Sequence, residues 1–361
     1  MQAVILSGGQ GTRLRPLTST MPKPAVPMVN RPMLWYMIDW LRGHGVTEIV
    51  MSVGYKADGL RQALDEVGHE GVEITYVEEP EPLGTAGAIK FAEQYLDQRF
   101  LVLNGDTLAD YDLSAEIAQH ERTGARATLA LVPVEDPTAY GVVVTGDGQA
   151  VEAFIEKPRL EDAPADPRIN AGAYVLEREV LEMIPAGENR SFELDVFPQL
   201  VGHGIYGFDA DGYWLDLGTP ERYFEATRDL LAGRVHSYLD RLRDARGNVF
   251  AADADVTGVA TTAPVVIADG STIESGTCIG PNCVIGRGVV LGADCRIRGS
   301  VVMDNARIGT GVTITDSIVG PSVVIENGAD LLAGSVIGEA AVIDRDAIVA
   351  GTAVEAGAGV A

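Results

Sequence analysis

Three glycines and a cluster of cations stand at the head of the chain: Gly8-Gly9-Gln10-Gly11-Thr12-Arg13-Leu14-Arg15-Pro16, with Pro22-Lys23-Pro24 shortly after. Glycines that follow a strand let backbone N–H groups approach a phosphate with no Cβ in the way. Arg13, Arg15, Lys23 and Arg31 are the charged side chains of the first 38 residues, and no acidic one lies among them. In a chain of formal net charge −25 this is a positive island suited to several anionic groups at once. The spacing is not that of a dinucleotide fingerprint, since position 14 is Leu, nor of a P-loop, since no Gly-Lys-Ser/Thr follows. A solvated glycine-rich turn would have the same composition, so the loop has to be weighed with its possible partners.

Those partners are carboxylates and amides further on. Asp106 ends Leu101-Val102-Leu103-Asn104-Gly105-Asp106, and Asp216 sits in Tyr213-Trp214-Leu215-Asp216-Leu217-Gly218-Thr219-Pro220. A hard cation such as Mg²⁺ takes one or two carboxylates together with substrate phosphates. Either Asp alone reads equally as a cap or a turn former. In Phe154-Ile155-Glu156-Lys157-Pro158 and Ile169-Asn170-Ala171-Gly172-Ala173, Glu156 and Asn170 can hydrogen-bond sugar hydroxyls and Lys157 can meet a sugar phosphate as a point charge. Both segments also fit ordinary surface turns. His44, His69, His120, His203 and His236 are scattered, no Gly-x-Ser-x-Gly occurs, and no cysteine has a partner nearby. Nucleophilic catalysis and a zinc site are therefore poorly supported.

The elements that position these residues follow from periodicity. Val4-Ile5-Leu6 reads as a buried strand. Asn30 and Pro32 open a helix carrying Met33, Leu34, Met37, Ile38 and Leu41, which Gly43 and Gly45 end. Strand-like runs over 48–53, 72–77, 100–103 and 128–134 alternate with helical stretches near 59–67, 86–96 and 114–122. That alternation predicts a mostly parallel sheet covered on both faces, with ligands beyond the carboxyl ends of its strands. Between 140 and 214 the elements become mixed: 142–144 and 151–155 flank a hairpin turn, and 171–176 forms a further strand. This half is expected to carry the second substrate. A helix is expected over 220–231. The domain reading is 1–232 catalytic, 233–262 connecting, and 263–361 a different architecture.

That architecture shows in a period of six. Ile267, Ile273, Ile279, Ile285, Leu291 and Ile297 are followed, after a slip of one, by Val302, Ile308 and Ile314. After a second slip come Val319, Ile325, Leu331, Ile337, Ile343 and Val349. Gly follows many of them. A short strand plus a tight corner, repeated, builds a β-solenoid, because each turn buries its aliphatic row only by stacking on the next.

Composition narrows the partners. Hydrophobic content of 46% and 22% charged residues are ordinary for a soluble globular protein. The excess of 52 acidic over 27 basic residues argues against nucleic acid and against an anionic membrane surface. Cys278, Cys283 and Cys295, odd in number and without CxxC spacing, suit reduced thiols in a cytoplasmic protein. No signal peptide is read at the N-terminus, and no apolar run approaches the ~18 residues of a membrane span.

In this order, Gly8 to Thr18, Pro22-Lys-Pro24, Leu83-Gly-Thr-Ala-Gly87, Asn104-Gly-Asp106, Tyr140-Gly-Val-Val-Val144, Glu156-Lys-Pro158, Asn170-Ala-Gly172 and Trp214 to Pro220 resemble the motifs of sugar-phosphate nucleotidylyltransferases. The likeness covers essentially the whole chain and leans to the mannose-1-phosphate guanylyltransferase type, which also carries a C-terminal left-handed β-helix of hexapeptide repeats. The resemblance implies a Rossmann-like α/β domain of mixed, mostly parallel sheet. It also implies the reaction of an NTP with a sugar 1-phosphate to give NDP-sugar and pyrophosphate, by in-line attack on the α-phosphorus. It assigns nucleotide contacts to Leu6, Gly8, Gly9, Gly11, Thr12, Arg13, Lys23, Glu79, Gly84 and Asp106, with Arg13, Lys23 and Asp106 catalytic. Gly141, Glu156, Lys157, Asn170 and Asp216 are implied on the sugar-phosphate side, and Asp106 with Asp216 as Mg²⁺ ligands. A homo-oligomer through the β-helix is the further expectation.

One position points to the base. Relatives that use thymidine or uridine nucleotides have a glutamine where this chain aligns Glu79, in Tyr76-Val77-Glu78-Glu79-Pro80. A carboxylate only accepts hydrogen bonds, and guanine offers two adjacent donors, whereas thymine and uracil offer one donor between two acceptors. GTP is thus expected; the alternative is that Glu78 and Glu79 are exposed loop charges. The sugar is less specified: the type often has Glu-Lys-Glu-Val-Phe-Pro where this chain reads Glu193-Leu194-Asp195-Val196-Phe197-Pro198. Mannose leads, with glucose or a heptose as alternatives. Three competing readings are a hexapeptide acyltransferase half, a ligand-sensing homologue without activity, and a thymidylyl- or uridylyltransferase. The first lacks a histidine beyond His236, and the second would be expected to have lost one of the charged residues just named.

Overall fold

The computed structural model describes residues 1–361 except Tyr55, and the side chain of Glu156 lies outside the described residues. The chain divides into two compact units, residues 1–9, 37–57 and 68–216 in one and 10–36, 58–67 and 217–361 in the other.

The first unit is built around β1 (Gln2–Ser7), whose Ala3, Val4 and Ile5 are fully buried, as a strand covered on both faces requires. It pairs in parallel with β2 (Glu48–Val53) and β4 (Arg99–Asn104), and β2 pairs in parallel with β3 (Glu73–Glu78). The carboxyl ends of these four strands therefore lie along one edge of the sheet. Beyond β4 the pairing turns antiparallel. β9 (Arg168–Glu177) lies against β4 and β6 (Ala127–Pro133), and the hairpin of β7 (Gly141–Thr145) and β8 (Val151–Glu156) closes the sheet. β10 (Ile205–Asp209) adds to β6 in parallel. The order β8-β7-β9-β4-β1-β2-β3 makes a mixed sheet with a parallel half, as the switch in pattern near residue 140 predicts. The helix Gly84–Ala92 packs Ala86, Ile89 and Ala92 into the same core as Val4, Phe100, Leu129 and Tyr174. A separate ribbon pairs β5 (Thr107–Tyr111) with β11 (Gly212–Asp216).

In the second unit, residues from Val249 to Val360 form three all-parallel sheets, the arrangement of a left-handed β-helix of hexapeptide repeats. All fifteen aliphatics of the six-residue register lie in one internal core. Ile267 stacks on Ile285, eighteen residues on, whereas Ile285 stacks on Val302 and Val302 on Val319, seventeen residues on. The phase slips are thus corners one residue shorter, and the inward row is preserved. Corners at positive φ are taken by glycine or by residues such as Asp294 and Asn305, whose short polar side chains tolerate that region, with Ala340 as an exception. The stretch read as connecting already contributes strands Val249–Phe250 and Ala260–Thr261 to two of the sheets. A second row, Val266, Val284, Val301, Ile318 and Val336, points away from the helical core yet is at most 6% exposed. One face of the β-helix is therefore buried. Asn30 donates to the Ile285 carbonyl, and Arg228 of the helix Pro220–Ala232 meets Asp316.

Among the described residues of the first unit, one acid is buried. Glu116, in the first turn of the helix Leu113–Thr123, is wholly buried; its Oε2 accepts from the Tyr111 hydroxyl at 2.9 Å and its Oε1 has no partner among the described residues. Burial pushes its pKa up to about 8, against the hydrogen bond from Tyr111, which lowers it. Because the folded value lies above the unfolded one, the stability that the proton confers is complete below about pH 4.5 and is lost as pH rises towards 8. Glu116→Gln carries no such loss. Whatever constant offset the amide introduces, the melting temperature of the variant minus that of the wild type is expected to increase from pH 5 to pH 8. A difference that stays flat across that range would overturn the assignment.

Candidate active site

At the end of β1 the chain passes through Ser7, Gly8 and Gly9. A Cβ on Gly8 would stand 3.4 Å from Glu79 Oε1, and one on Gly54, just after β2, would stand 3.5 Å from the Gly8 backbone. The ends of β1, β2 and β3 thus converge on a surface of nearly bare backbone. Glu79 is part of it. Its Oε1 accepts from Ser52 Oγ at 2.6 Å, its Oε2 accepts from the Leu83 N–H at 3.2 Å, and its own N–H continues the ladder to Val53 O at 2.9 Å. Glu78 is exposed, so the two adjacent acids differ: one is a surface charge and the other is oriented. A carboxylate offers about four lone-pair directions, so two remain after these bonds.

Gly105 brings β4 hard against β1. Its N–H donates to Leu6 O at 2.9 Å, and a Cβ there would come within 2.7 Å of Ser7 Oγ. Asp106 follows directly, half-buried. In the ribbon, Asp216 lies opposite Thr107, the neighbour of Asp106. Two carboxylates separated by over a hundred residues are therefore carried to one end of the β5–β11 pair. Two oxygen-donor carboxylates fit one hard cation that takes its other ligands from phosphate and water; no group of three metal-ligating side chains occurs among the described residues.

A cleft of about 300 Å³ opens beside the antiparallel half, with Asn104, Tyr140, Gly141, Asn170, Glu193 and Leu194 in its wall. Asn170 is held at both ends of its amide: Nδ2 donates to the Tyr174 hydroxyl at 2.8 Å, and Oδ1 accepts from Gly172 N at 2.9 Å. Gly172 is at φ +72°, and a Cβ there would collide with the Asn104 amide, so glycine is required on both counts. The Tyr174 hydroxyl donates onward to Glu193 Oε1 at 2.8 Å. Burial first, and then the charge of Glu193, push the Tyr174 pKa well up, so the hydroxyl keeps its proton. Glu193 Oε2 accepts from Ser191 Oγ at 2.5 Å and from Thr85 Oγ1 at 3.0 Å. Lys157 sits at φ +42°, exposed, its N–H donating to Tyr140 O at 3.0 Å, and the backbone of Glu156 pairs with Gly141. The side chain of Glu156, named from the sequence, lies outside the described residues.

Thr85 belongs to a second glycine loop, Leu83-Gly84-Thr85-Ala86-Gly87, which is tied to the cleft wall through Glu193. Ala86 N donates to Arg190 O and Arg190 N to Leu83 O, both at 2.9 Å. A Cβ on Gly84, at φ +72°, would come within 2.5 Å of Arg190 O. Packing against residues 189–190 is thus enough to require glycine at Gly84. Tyr174 and Ser191 carry no motif of their own. Asn104, Tyr140, Gly141 and Asn170 of this wall stand in motifs of the sequence, and Glu193 stands where the chain departs from the resembled pattern at Leu194 and Asp195.

The rest of the opening loop belongs to the second unit. Gly11, at φ +62°, would with a Cβ come within 2.8 Å of Lys23 Cβ, so the two ends of this loop touch. Gly11 O accepts from Thr18 Oγ1 at 2.8 Å and from Leu14 N at 3.0 Å. Thr12 and Arg13 are exposed, whereas Lys23 is only 6% exposed.

Residues 2–233 match the nucleotidyl transferase family, and residues 261–358 match the GMPPB C-terminal domain. A mannose-1-phosphate guanylyltransferase from Mycobacterium tuberculosis is 36% identical over 318 residues, which is 87% of this chain and 83% of that protein. A UTP–glucose-1-phosphate uridylyltransferase from Synechocystis is 33% identical over 344 residues, 88% of this chain and 87% of that protein. The crystal structure of HddC from Yersinia pseudotuberculosis complexed with GMP-PN is similar at a TM-score of 0.56 and 32% identity, covering 63% of this chain and 99% of that one. No helix among the described residues is long and apolar enough to cross a membrane. With a family match over most of the chain and relatives of this identity along nearly their whole length, the chain belongs to the nucleotidyl transferase family, among its sugar-phosphate enzymes.

Proposed function

We propose that this enzyme transfers a guanylyl group from GTP to mannose 1-phosphate, forming GDP-mannose and pyrophosphate. The observation that carries the choice of base is the fixed carboxylate of Glu79 beside Gly8. Two of its lone-pair directions are engaged by Ser52 and Leu83, and the other two suit the adjacent N1–H and N2–H₂ donors of guanine. A pyrimidine would set a carbonyl oxygen against that carboxylate. The relative named as a mannose-1-phosphate guanylyltransferase and the neighbour solved in complex with GMP-PN support the same reading. The uridylyltransferase relative supports a second one, UTP with glucose 1-phosphate.

In the reaction a phosphate oxygen of the sugar phosphate bonds to the α-phosphorus as the bond from that phosphorus to the β-phosphate bridge breaks, and pyrophosphate carries away the electron pair. No protein nucleophile is needed; alignment and charge neutralisation carry the step. Arg13 and Lys23 neutralise the triphosphate and the departing pyrophosphate. The Gly8–Gly9 backbone lies against the nucleotide without side-chain obstruction. Lys157 meets the phosphate of the sugar, and Asn170, oriented by Tyr174 and Gly172, accepts or donates to its hydroxyls. Asp106 and Asp216 would hold Mg²⁺, which supplies Lewis-acid neutralisation of phosphate charge when bound.

Pyrophosphate release over a matrix of NTPs and sugar 1-phosphates, with and without Mg²⁺, tests the proposal. GTP with mannose 1-phosphate is expected to be the best pair; a wild-type preference for dTTP or UTP would remove the base argument. Glu79→Gln keeps its local bonds, with its carbonyl taking the Leu83 N–H and its amide donating to Ser52 Oγ. It is expected to shift kcat/KM towards UTP or dTTP by at least roughly tenfold relative to GTP. Asp106→Asn and Asp216→Asn should each lower kcat by about a hundredfold or more with near-normal melting temperature. Full activity in either would take that residue out of the metal site.

A further inference from the structure

The segment that carries Arg13 and Lys23 is packed in the same unit as the β-helix, and one strained turn lies between them. Lys23 O accepts from Val26 N at 3.1 Å, and Val26 O accepts from Met33 N at 3.0 Å. Between those two bonds a small hairpin pairs Pro27–Met28 with Arg31–Pro32 and turns through Val29 and Asn30. Both turn residues are at positive φ, 45° for Val29 and 62° for Asn30. Asparagine tolerates that region, but a β-branched valine does not adopt it unless its surroundings impose it. Val29 is completely buried.

The surroundings that impose it come from the helix Pro220–Ala232, from Tyr238 beyond it and from the β-helix. The Tyr238 hydroxyl donates to Val29 O at 2.6 Å, and the Tyr223 hydroxyl donates to Pro27 O at 2.6 Å. Asn30 Nδ2 donates to the carbonyl of Ile285 at 3.2 Å, a carbonyl that also accepts the inter-coil bond from Ala268 N at 2.9 Å. The Arg31 guanidinium lies 5.2 Å from the ring centres of both Trp35 and Tyr238, and its Nη1 donates to Val67 O at 3.0 Å. Nearer the glycines, Ser19 Oγ donates to Glu355 Oε2 at 3.4 Å, several coils along.

We propose that Asn30 and Tyr238 are positioning residues for the triphosphate: they hold the strained Val29–Asn30 turn against the β-helix, and that turn sets the place of Lys23. The β-helix is then part of the nucleotide side of the enzyme, and a change in its coils is transmitted to NTP affinity. The inference rests on the proposed role of Lys23 in holding the triphosphate.

The test uses the full chain. Asn30→Gly keeps a residue at ease at positive φ and deletes only the amide; Tyr238→Phe keeps the ring beside Arg31 and deletes only the hydroxyl. Whichever NTP the wild type turns over best serves as the probe, so a wrong base leaves the test intact. In the double variant, calorimetric affinity for that NTP is expected to fall, and its KM to rise, roughly tenfold, with KM for the sugar 1-phosphate within about twofold of wild type. The single variants should fall between. Unchanged NTP affinity in a folded double variant overturns the proposal. So does an equal rise in both KM values, which marks general loosening. A wild type that turns over no NTP and sugar phosphate pair overturns the enzymatic reading instead, and this inference with it.

Discussion

The parallel ladders that β1 makes with β2 and β4 are the constraint on which the first unit depends. Parallel pairing aligns carboxyl ends, so residues from positions 8, 54, 79 and 106 arrive at one sheet edge although the chain visits them far apart. The approach is closest where Gly105 donates to Leu6, and there any side chain on Gly105 would strike Ser7. Glycines do different work along this edge. Gly8 and Gly54 leave backbone bare, Gly105 admits a neighbouring strand, and Gly84 admits the chain at Arg190. One residue type serves three distinct steric demands, and a motif pattern alone does not separate them.

The antiparallel half answers a different problem, that of holding polar groups still. Asn170, Tyr174, Glu193, Thr85 and Ser191 form a chain of hydrogen bonds in which each group satisfies the next. Because Tyr174 is buried and retains its proton, the network has a defined direction from amide to carboxylate. The cleft wall is therefore preorganised, and the second glycine loop is tied to it through Thr85.

What the sequence disclosed was whatever repeats or alternates. The six-residue aliphatic register and the strand–helix alternation up to residue 145 record burial, which acts on every repeat alike, and both match the fold. The first coil strands, Val249–Phe250 and Ala260–Thr261, escaped because the aliphatic period has not yet begun there. The outward row of Val266, Val284, Val301, Ile318 and Val336 was present as residues but unreadable as a buried surface: valine is at home on either face of a short strand. Most opaque were single long-range bonds, such as Thr85 with Glu193 or Asn30 with Ile285, where a common polar residue acquires its meaning from a partner a hundred or more positions away. Glu78 and Glu79 read alike as neighbouring acids, and only the bonds to Ser52 and Leu83 separate the oriented carboxylate from the exposed one.

The two attachments of the opening segment to the β-helix, at Ile285 and at Glu355, lie on stacked coils that follow one another through Val302, Val319, Ile337 and Val354. Each coil advances by the inter-strand spacing, about 4.8 Å. Solenoids ordinarily drift in length, since a repeat gained or lost leaves its neighbours undisturbed. Here the helix is a ruler with two marks on it. A coil inserted between the marks would separate them by one whole step, so repeat number in this interval is tied to the fit of another part of the chain, while coils outside it are free to vary.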